Sequence, residues 1–375
     1  MNYNVVSKAE RETFWLSTGE RLYDLTGGFG YQIPEVREAV VNQVKNKVGL
    51  SSRVLLSTPL LELCEELSNW LGAPYENSYV CNSGDEAFEG ALKLARAINP
   101  RRKTLVYVDG NNYGQMSYGQ LSKRSFTEKE SLDYLGVRVR HISNEFELEN
   151  FGEWDDCFAF CHGPFINSKN AGRILMSPSV ISRAQQAASR RGVLNIYSDL
   201  DTCLGHLGHK LSHEYIGGSP DVIVMGGSLS GGFIPVGTYT TRHELASKVY
   251  GSSSPAKHGS TTAGNFPACT AALAALCFTQ KQALWDNASE NGKLIEQMLS
   301  EFNPQRFGGW VSLTFGNDAL ANDIYKRLMG EGFHLCPPES DELIIRPPLT
   351  ARKEVVTNIA CSILELLKNA NEEVA

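Results

Sequence analysis

Short apolar runs separated by longer segments of helical period organise the middle of the chain. Leu105-Val106-Tyr107-Val108, Phe158-Ala159-Phe160, Val193 to Tyr197 and Val222 to Met225 read as strands. Each is brief and apolar, with Gly, Asp, Ser or Cys close behind, as in strands buried on both faces. Between them, Glu86 to Ala97 sets Ala87, Ala91, Leu94 and Ala95 on one stripe. Pro178 to Arg191 reads as a second helix, with Ser177 as its N-cap and Pro178 at its first position. Strand–helix–strand order predicts right-handed crossovers and a mostly parallel sheet, so the fold class is α/β. The ends lack this rhythm. Pro34 to Val48 stands apart, and Ala319 to Leu367 offers helices at Ile324 to Gly330 and Lys353 to Leu367 and a short strand at Glu342 to Ile345. The pattern predicts a large domain over residues 49–278. A smaller α+β domain is expected from residues 1–48 and 279–375, reached through a long helix near 280–302.

Composition narrows the class. With 375 residues, 42% hydrophobic and 21% charged, the chain can bury a core. Mean hydropathy is −0.24, and no apolar run approaches the ~18 residues of a membrane span. A net charge of −7 argues against nucleic acid as a partner, since phosphate binding needs a basic face. Met1 to Trp15 contains no apolar leader core. Nine cysteines are scattered without a CxxC pair, which suggests reduced thiols, a cytoplasmic location and no structural zinc.

Chemistry in such a sheet collects in the loops that follow the strands. Four loops stand out: Cys81 to Ala87, Asp109 to Gly114, Ser198 to Gly208 and Gly226 to Gly232. In the first, Ser83-Gly84 at a helix N-terminus makes either an anion site or an ordinary N-cap.

Taken in order, these segments resemble the class III, fold-type I pyridoxal-phosphate-dependent aminotransferases. Leu22 to Gly28 (LYDLTGG) is similar to the family's "yLD…sG", and Asn82 to Arg96 to "nSGsEAneaAlklAR". Pro220-Asp221 through Gly237 resembles "PDivtlgKalsGGlyPvg". HGSTTAGNFPAC over 258–269 resembles "hgtTfgGnPlac", and IIRPPLT over 344–350 resembles "lRf.PPLt". The resemblance runs from about Leu22 to Leu349. It implies a homodimer with the cofactor at the subunit interface. It further implies phosphate contacts from Ser83, Gly84 and Asp85 and from Thr261 of the partner subunit, and a ring-stacking residue in the Asn112-Tyr113-Gly114 loop. Asp201 falls where the family has a Gln beside the ring, and Arg346 where a substrate carboxylate is met.

The pattern departs from the family at the points that carry its chemistry. Gly227 occupies the place of the Schiff-base lysine, and glycine can neither attack an aldehyde nor move a proton. Aligning Gly205 and Gly208 puts Ser198 at the aspartate that pairs with the pyridinium nitrogen, and serine cannot supply that charge. Asp85 puts a carboxylate where the family has a small or hydroxyl residue beside the phosphate. Asn112 replaces the stacking aromatic, with Tyr113 next to it as a substitute. Pro347-Pro348 follows Arg346 without the family's spacer residues.

Other readings stay open beside this one. Lys210 or Lys257 would replace the missing amine if either reached the cleft, although a solvated lysine is the commoner case. Cys203, His206, His209 and His213, with Asp199 and Asp201, form a ligand-rich stretch, but the two glycines within it argue for loop and against a metal site. Cys161-His162 is a weaker candidate nucleophile pair. The expectation is therefore a class III aminotransferase-like protein that does not transaminate, a pseudoenzyme on that scaffold. It would bind a small-molecule ligand or serve as a partner subunit, as a homodimer or beside a complete homologue, possessing no covalent hold on pyridoxal phosphate. A lysine-independent reaction and a role in specialised biosynthesis fit the same scaffold. The alternatives are an atypical pyridoxal-phosphate aminotransferase acting on an amino acid or amine, and a metal-dependent enzyme on the same fold.

Overall fold

A computed structural model describes residues 5–45, 56–168, 172–251 and 259–374. Its centre is a seven-stranded sheet built from β1 (Asn77–Cys81), β2 (Thr104–Val108), β3 (Arg138–Ile142), β4 (Cys157–His162), β5 (Leu194–Asp199), β6 (Val222–Met225) and β7 (Gly237–Thr241), in the order β1-β7-β6-β5-β4-β2-β3. All strands run one way except β7, which is antiparallel to both β6 and β1. The mixed α/β class and the mostly parallel sheet expected from the apolar runs are present.

The strands are apolar throughout because helices cover both faces. On one side, Leu105, Tyr107, Val222 and Val224 pack with Ala87, Phe88, Ala91 and Leu94 of the helix Gly84–Ile98. On the other, Val106, Val108, Ile223 and Met225 pack with the helices Thr58–Leu71, Pro178–Arg190 and Phe266–Gln282. The helix Pro34–Lys45 joins this second layer, with Val36 in the same apolar cluster as Leu63 and Ala275.

The chain ends build two further sheets. Val6–Glu10, Thr13–Leu16, Arg21–Asp24 and Phe333–His334 form one, and Gln305–Phe307, Trp310–Thr314 and Glu342–Ile345 form the other. The helices Asp318–Gly330 and Lys353–Val374 share an apolar cluster with these strands. The helix expected near 280–302 is present as Leu284–Met298, and a separate helix, Phe266–Gln282, precedes it. They break at Ala283, whose φ of 46° is left-handed and cannot continue a right-handed helix. Phe165, Leu207, Phe307 and Trp310 join the end-built sheet to the loops of the central one. That contact brings Trp310 and Arg346 to the edge of the strand-end loops.

Candidate functional site

The loops after β1, β2, β5 and β6 meet at one end of the central sheet. Ser83 caps the helix Gly84–Ile98, its Oγ accepting from Glu86 N at 3.1 Å. The first-turn N–H groups of such a helix lack intrahelical partners and carry partial positive charge, which favours anions. Here an anion from the chain is already beside them. Asp85 Oδ2 accepts from Gln115 N at 3.0 Å, and Gly114 passes so close that a Cβ there would stand 3.0 Å from the Asp85 carboxylate.

On the facing strand, Ser198 is 4% exposed and its Oγ donates to the backbone oxygen of Asn112. Asn112 Nδ2 donates to Asp201 Oδ1 at 2.8 Å. The loop after β2 is thereby tied directly to the end of β5 at two points. The neighbouring Asp199 points to the opposite side of the strand, where Thr202 and Ser212 donate to it. It is fully buried, and desolvation pushes its pKa up to about 6.

The floor of the site is close-packed backbone. A Cβ on Gly84 would stand 2.6 Å from Leu200 Cδ2, and one on Gly226 would stand 2.7 Å from Gly84 Cα. Gly227 has φ of 53°, and a Cβ there would fall well under 3.0 Å from the Leu200 carbonyl oxygen.

One expectation about a side chain is corrected, and the open question of Lys210 is answered. The Tyr113 ring does not face the cleft as a stacking surface. It packs against Phe88 and Tyr107, and its hydroxyl donates to Val108 O at 2.7 Å. An aromatic ring gains more from that core than from the open loop. Lys210 lies over the Trp70 ring at 4.9 Å and does not line the cleft. Lys257 lies outside the described residues. Thr261 is exposed; its neighbours Ser260 and Thr262 bond to Asn82 of the same chain, at 2.8 and 2.9 Å.

The histidine-rich stretch does not converge. Cys203 Sγ donates to Gly226 O, His206 bonds Ser228 Oγ at 2.9 Å, His209 stacks on Tyr215, and His213 packs edge-on to Tyr75 and Tyr197. Among the described residues, no three His, Cys, Asp or Glu side chains are grouped around a point that would hold a metal. Burial, with Arg346 adding repulsion, lowers the His206 pKa to about 3. The Cys161 thiol is raised by burial, and His162 bonds Gln185 instead, so the two do not form a nucleophile pair.

In front of these loops lies a cleft of about 420 Å³. Arg346 stands on its wall, with Cζ 4.5 Å over the Trp310 ring and Nη2 donating to Cys336 Sγ at 2.9 Å. Arg173, also on the wall, is paired with Glu339 at 2.9 Å and Glu342 at 3.6 Å. Of the described lysines, Lys123 alone lines the cleft. It is exposed, and its Nζ donates to Gln115 Oε1 at 2.6 Å. Sequence reasoning missed Lys123, Cys336 and Trp310, since no local motif marks them. A more open groove of about 890 Å³, among Tyr23, Phe333 and Leu366, shares no lining residue with the cleft.

The parallel sheet with one reversed strand, covered on both faces, and the loops gathered at its end define a fold-type I aminotransferase scaffold. The family model for aminotransferase class-III matches residues 1–367. Acetylornithine aminotransferase of Archaeoglobus fulgidus is 26% identical over 361 residues, 94% of this chain and 92% of that protein. Ornithine aminotransferase of Bordetella pertussis is 28% identical over 377 residues, 93% of this chain and 88% of that protein. Among solved structures, ornithine aminotransferase from Toxoplasma gondii superposes with a TM-score of 0.86 at 23% identity, covering 100% of this chain and 93% of that one. The chain belongs to the aminotransferase class-III family. No described helix is long and apolar enough to cross a membrane.

Proposed function

We propose that this protein keeps the class III scaffold but does not transaminate through a Schiff base. The observation that carries the reading is Gly227: no amine stands at that position, and the backbone of Leu200 fills the space the first carbon of a side chain would need. The residues present do not fit a covalently anchored pyridoxal phosphate. Ser198 is committed to the Asn112 carbonyl and brings no charge to a ring nitrogen. The Asp85 carboxylate would face the phosphate, a repulsion of about 4 kcal/mol per charge pair at ~4 Å and an effective dielectric near 20. Cofactor held there would be held without a covalent bond, and weakly.

The function is then binding of a small molecule in the cleft, with Arg346 as the carboxylate contact, or service as a partner subunit. Assembly is read as a homodimer or a pair with a complete homologue, the segment around Thr261 reaching the neighbouring subunit. Nine unpaired cysteines favour a cytoplasmic site of action. Purified protein mixed with pyridoxal phosphate, reduced with borohydride and mapped by mass spectrometry tests the reading. The expected result is no stoichiometric lysine adduct; one lysine labelled to completion would overturn it.

A further inference from the structure

The sheet built by the start of the chain is open along one edge. Val6–Glu10 is its outermost strand, exposed at four of its five positions. Asp24 N donates to Glu12 O at 2.8 Å and Leu16 N to Glu20 O at 2.9 Å. The even positions of Thr13–Leu16 therefore turn toward Arg21–Asp24, and the odd ones, Thr13 and Trp15, turn toward Glu10 and Lys8. Ala9, opposite Phe14, is left with its N–H and C=O pointing outward. Among the described residues neither group has a hydrogen-bond partner.

A fifth strand is begun beside this edge and abandoned. Arg11 N donates to Tyr31 O at 2.7 Å, and Tyr31 N donates to Arg11 O at 2.8 Å, an antiparallel pair of one residue each. Gln32, with φ of 55°, then turns the chain away into the helix Pro34–Lys45. Between edge and helix lies a groove of about 680 Å³. Ser7 to Arg11 form one wall, and Gln32, Pro34 and Arg37 the other. An open strand edge facing a helix accepts an added strand, with main-chain bonds giving affinity and side chains giving specificity.

The charges select which strand. The chain carries a net charge of −7, yet this groove is lined by Lys8, Arg11 and Arg37 against Glu10 alone. Glu10 is taken by Lys8 at 3.4 Å, and Arg37 meets Glu38 only at 4.0 Å. Arg11 has no ion pair among the described residues. Val5 and Val6, each 54% exposed, add apolar surface where the strand starts.

We propose that this groove docks an extended acidic segment of another protein, added antiparallel to Val6–Glu10 in line with Tyr31. Its backbone bonds both outward groups of Ala9, and its carboxylates meet Arg11 and Arg37. The groove shares no lining residue with the cleft, so the proposal does not depend on whether a Schiff base forms there.

Fluorescence anisotropy of labelled peptides with the full chain tests this. The probes are a seven-residue peptide alternating glutamate and valine, its lysine–valine counterpart, and the glutamate–valine peptide N-methylated at every amide. The glutamate–valine peptide binds saturably below about 1 mM, and the two controls bind about tenfold or more weakly. Ala9→Pro removes the outward donor without breaking a bond inside the sheet. It melts near the wild type and binds the glutamate–valine peptide about tenfold or more weakly. Arg11→Gln keeps the backbone pair with Tyr31, weakens the same peptide and flattens its salt dependence. If Ala9→Pro fails to fold, the peptide ranking and Arg11→Gln decide. The proposal is overturned if the glutamate–valine peptide does not bind or if either control binds as tightly. It is equally overturned if Arg11→Gln or a folded Ala9→Pro binds that peptide unchanged.

Discussion

The Leu200 carbonyl oxygen stands where a side chain at Gly227 would have to begin. The two residues follow adjacent parallel strands, β5 and β6, and their loops have closed together. The Leu200 side chain also packs against both Gly84 and Gly226, whose backbones approach each other directly. On the proposed reading, in which Gly227 stands at the place of a lysine, the floor is packed too closely there for a side chain.

Reinstalling the amine alone should therefore fail. Gly227→Lys places a non-glycine residue at φ of 53°, a cost on the order of 1–3 kcal/mol, before the clash with Leu200 is counted. The variant is expected to melt below the wild type and to show no aldimine absorbance with pyridoxal phosphate. Wild-type stability together with a new visible band would show that the floor opens readily.

Asp85 acts as a resident anion at the helix N-terminus. Asp85→Ser removes the charge and frees Gln115 N. Inorganic phosphate should then raise the melting temperature of the variant and leave the wild type nearly unchanged. An equal response from both proteins would mean the carboxylate does not guard the turn.

Buried titrating groups set opposing pH dependences. His162 and His213 have pKa values lowered to about 4, and His206 to about 3, chiefly by burial. The unfolded chain therefore takes up their protons first, and stability present above about pH 6.5 is lost as pH falls through about 4. Asp199, raised to about 6, acts in reverse, because the folded chain binds its proton first. Its ionisation removes stability as pH rises from about 4 to about 6. Three histidines outweigh one aspartate, so the protein weakens in acid. Asp199→Asn keeps the acceptor for Thr202 and Ser212 but cannot ionise, so its urea midpoint should fall more steeply than the wild type's between about pH 6.5 and about pH 4.5. Parallel profiles would contradict this assignment.

The strands Val222–Met225 and Glu342–Ile345 were legible to the residue, because apolar runs bounded by turn formers leave little freedom. β1, β3 and β7 were not. Asn77 and Ser78, Arg138 and Arg140, and Thr238, Thr240 and Thr241 break the apolar signal. In the structure Thr240 is paired with Ser78, and Thr241 with the Asp221 carbonyl. The four loops could be found because each follows a strand and carries its own motif. The bonds that tie Asn112 to Ser198 and Asp201, and the approach of Trp310 to Arg346, join segments distant in sequence and leave no local trace. Tyr113 was misplaced because an aromatic beside a glycine reads equally as cleft wall or core; Phe88 and Tyr107 decide for core.

Reduction of the protein in the presence of pyridoxal phosphate, followed by peptide mapping, bears most directly on the claim that this site has no working amine. The account predicts only scattered, substoichiometric labelling, with Lys123, Lys210 and Lys257 unmodified in most molecules. A single one of these lysines carrying the reduced cofactor in nearly every chain would contradict it.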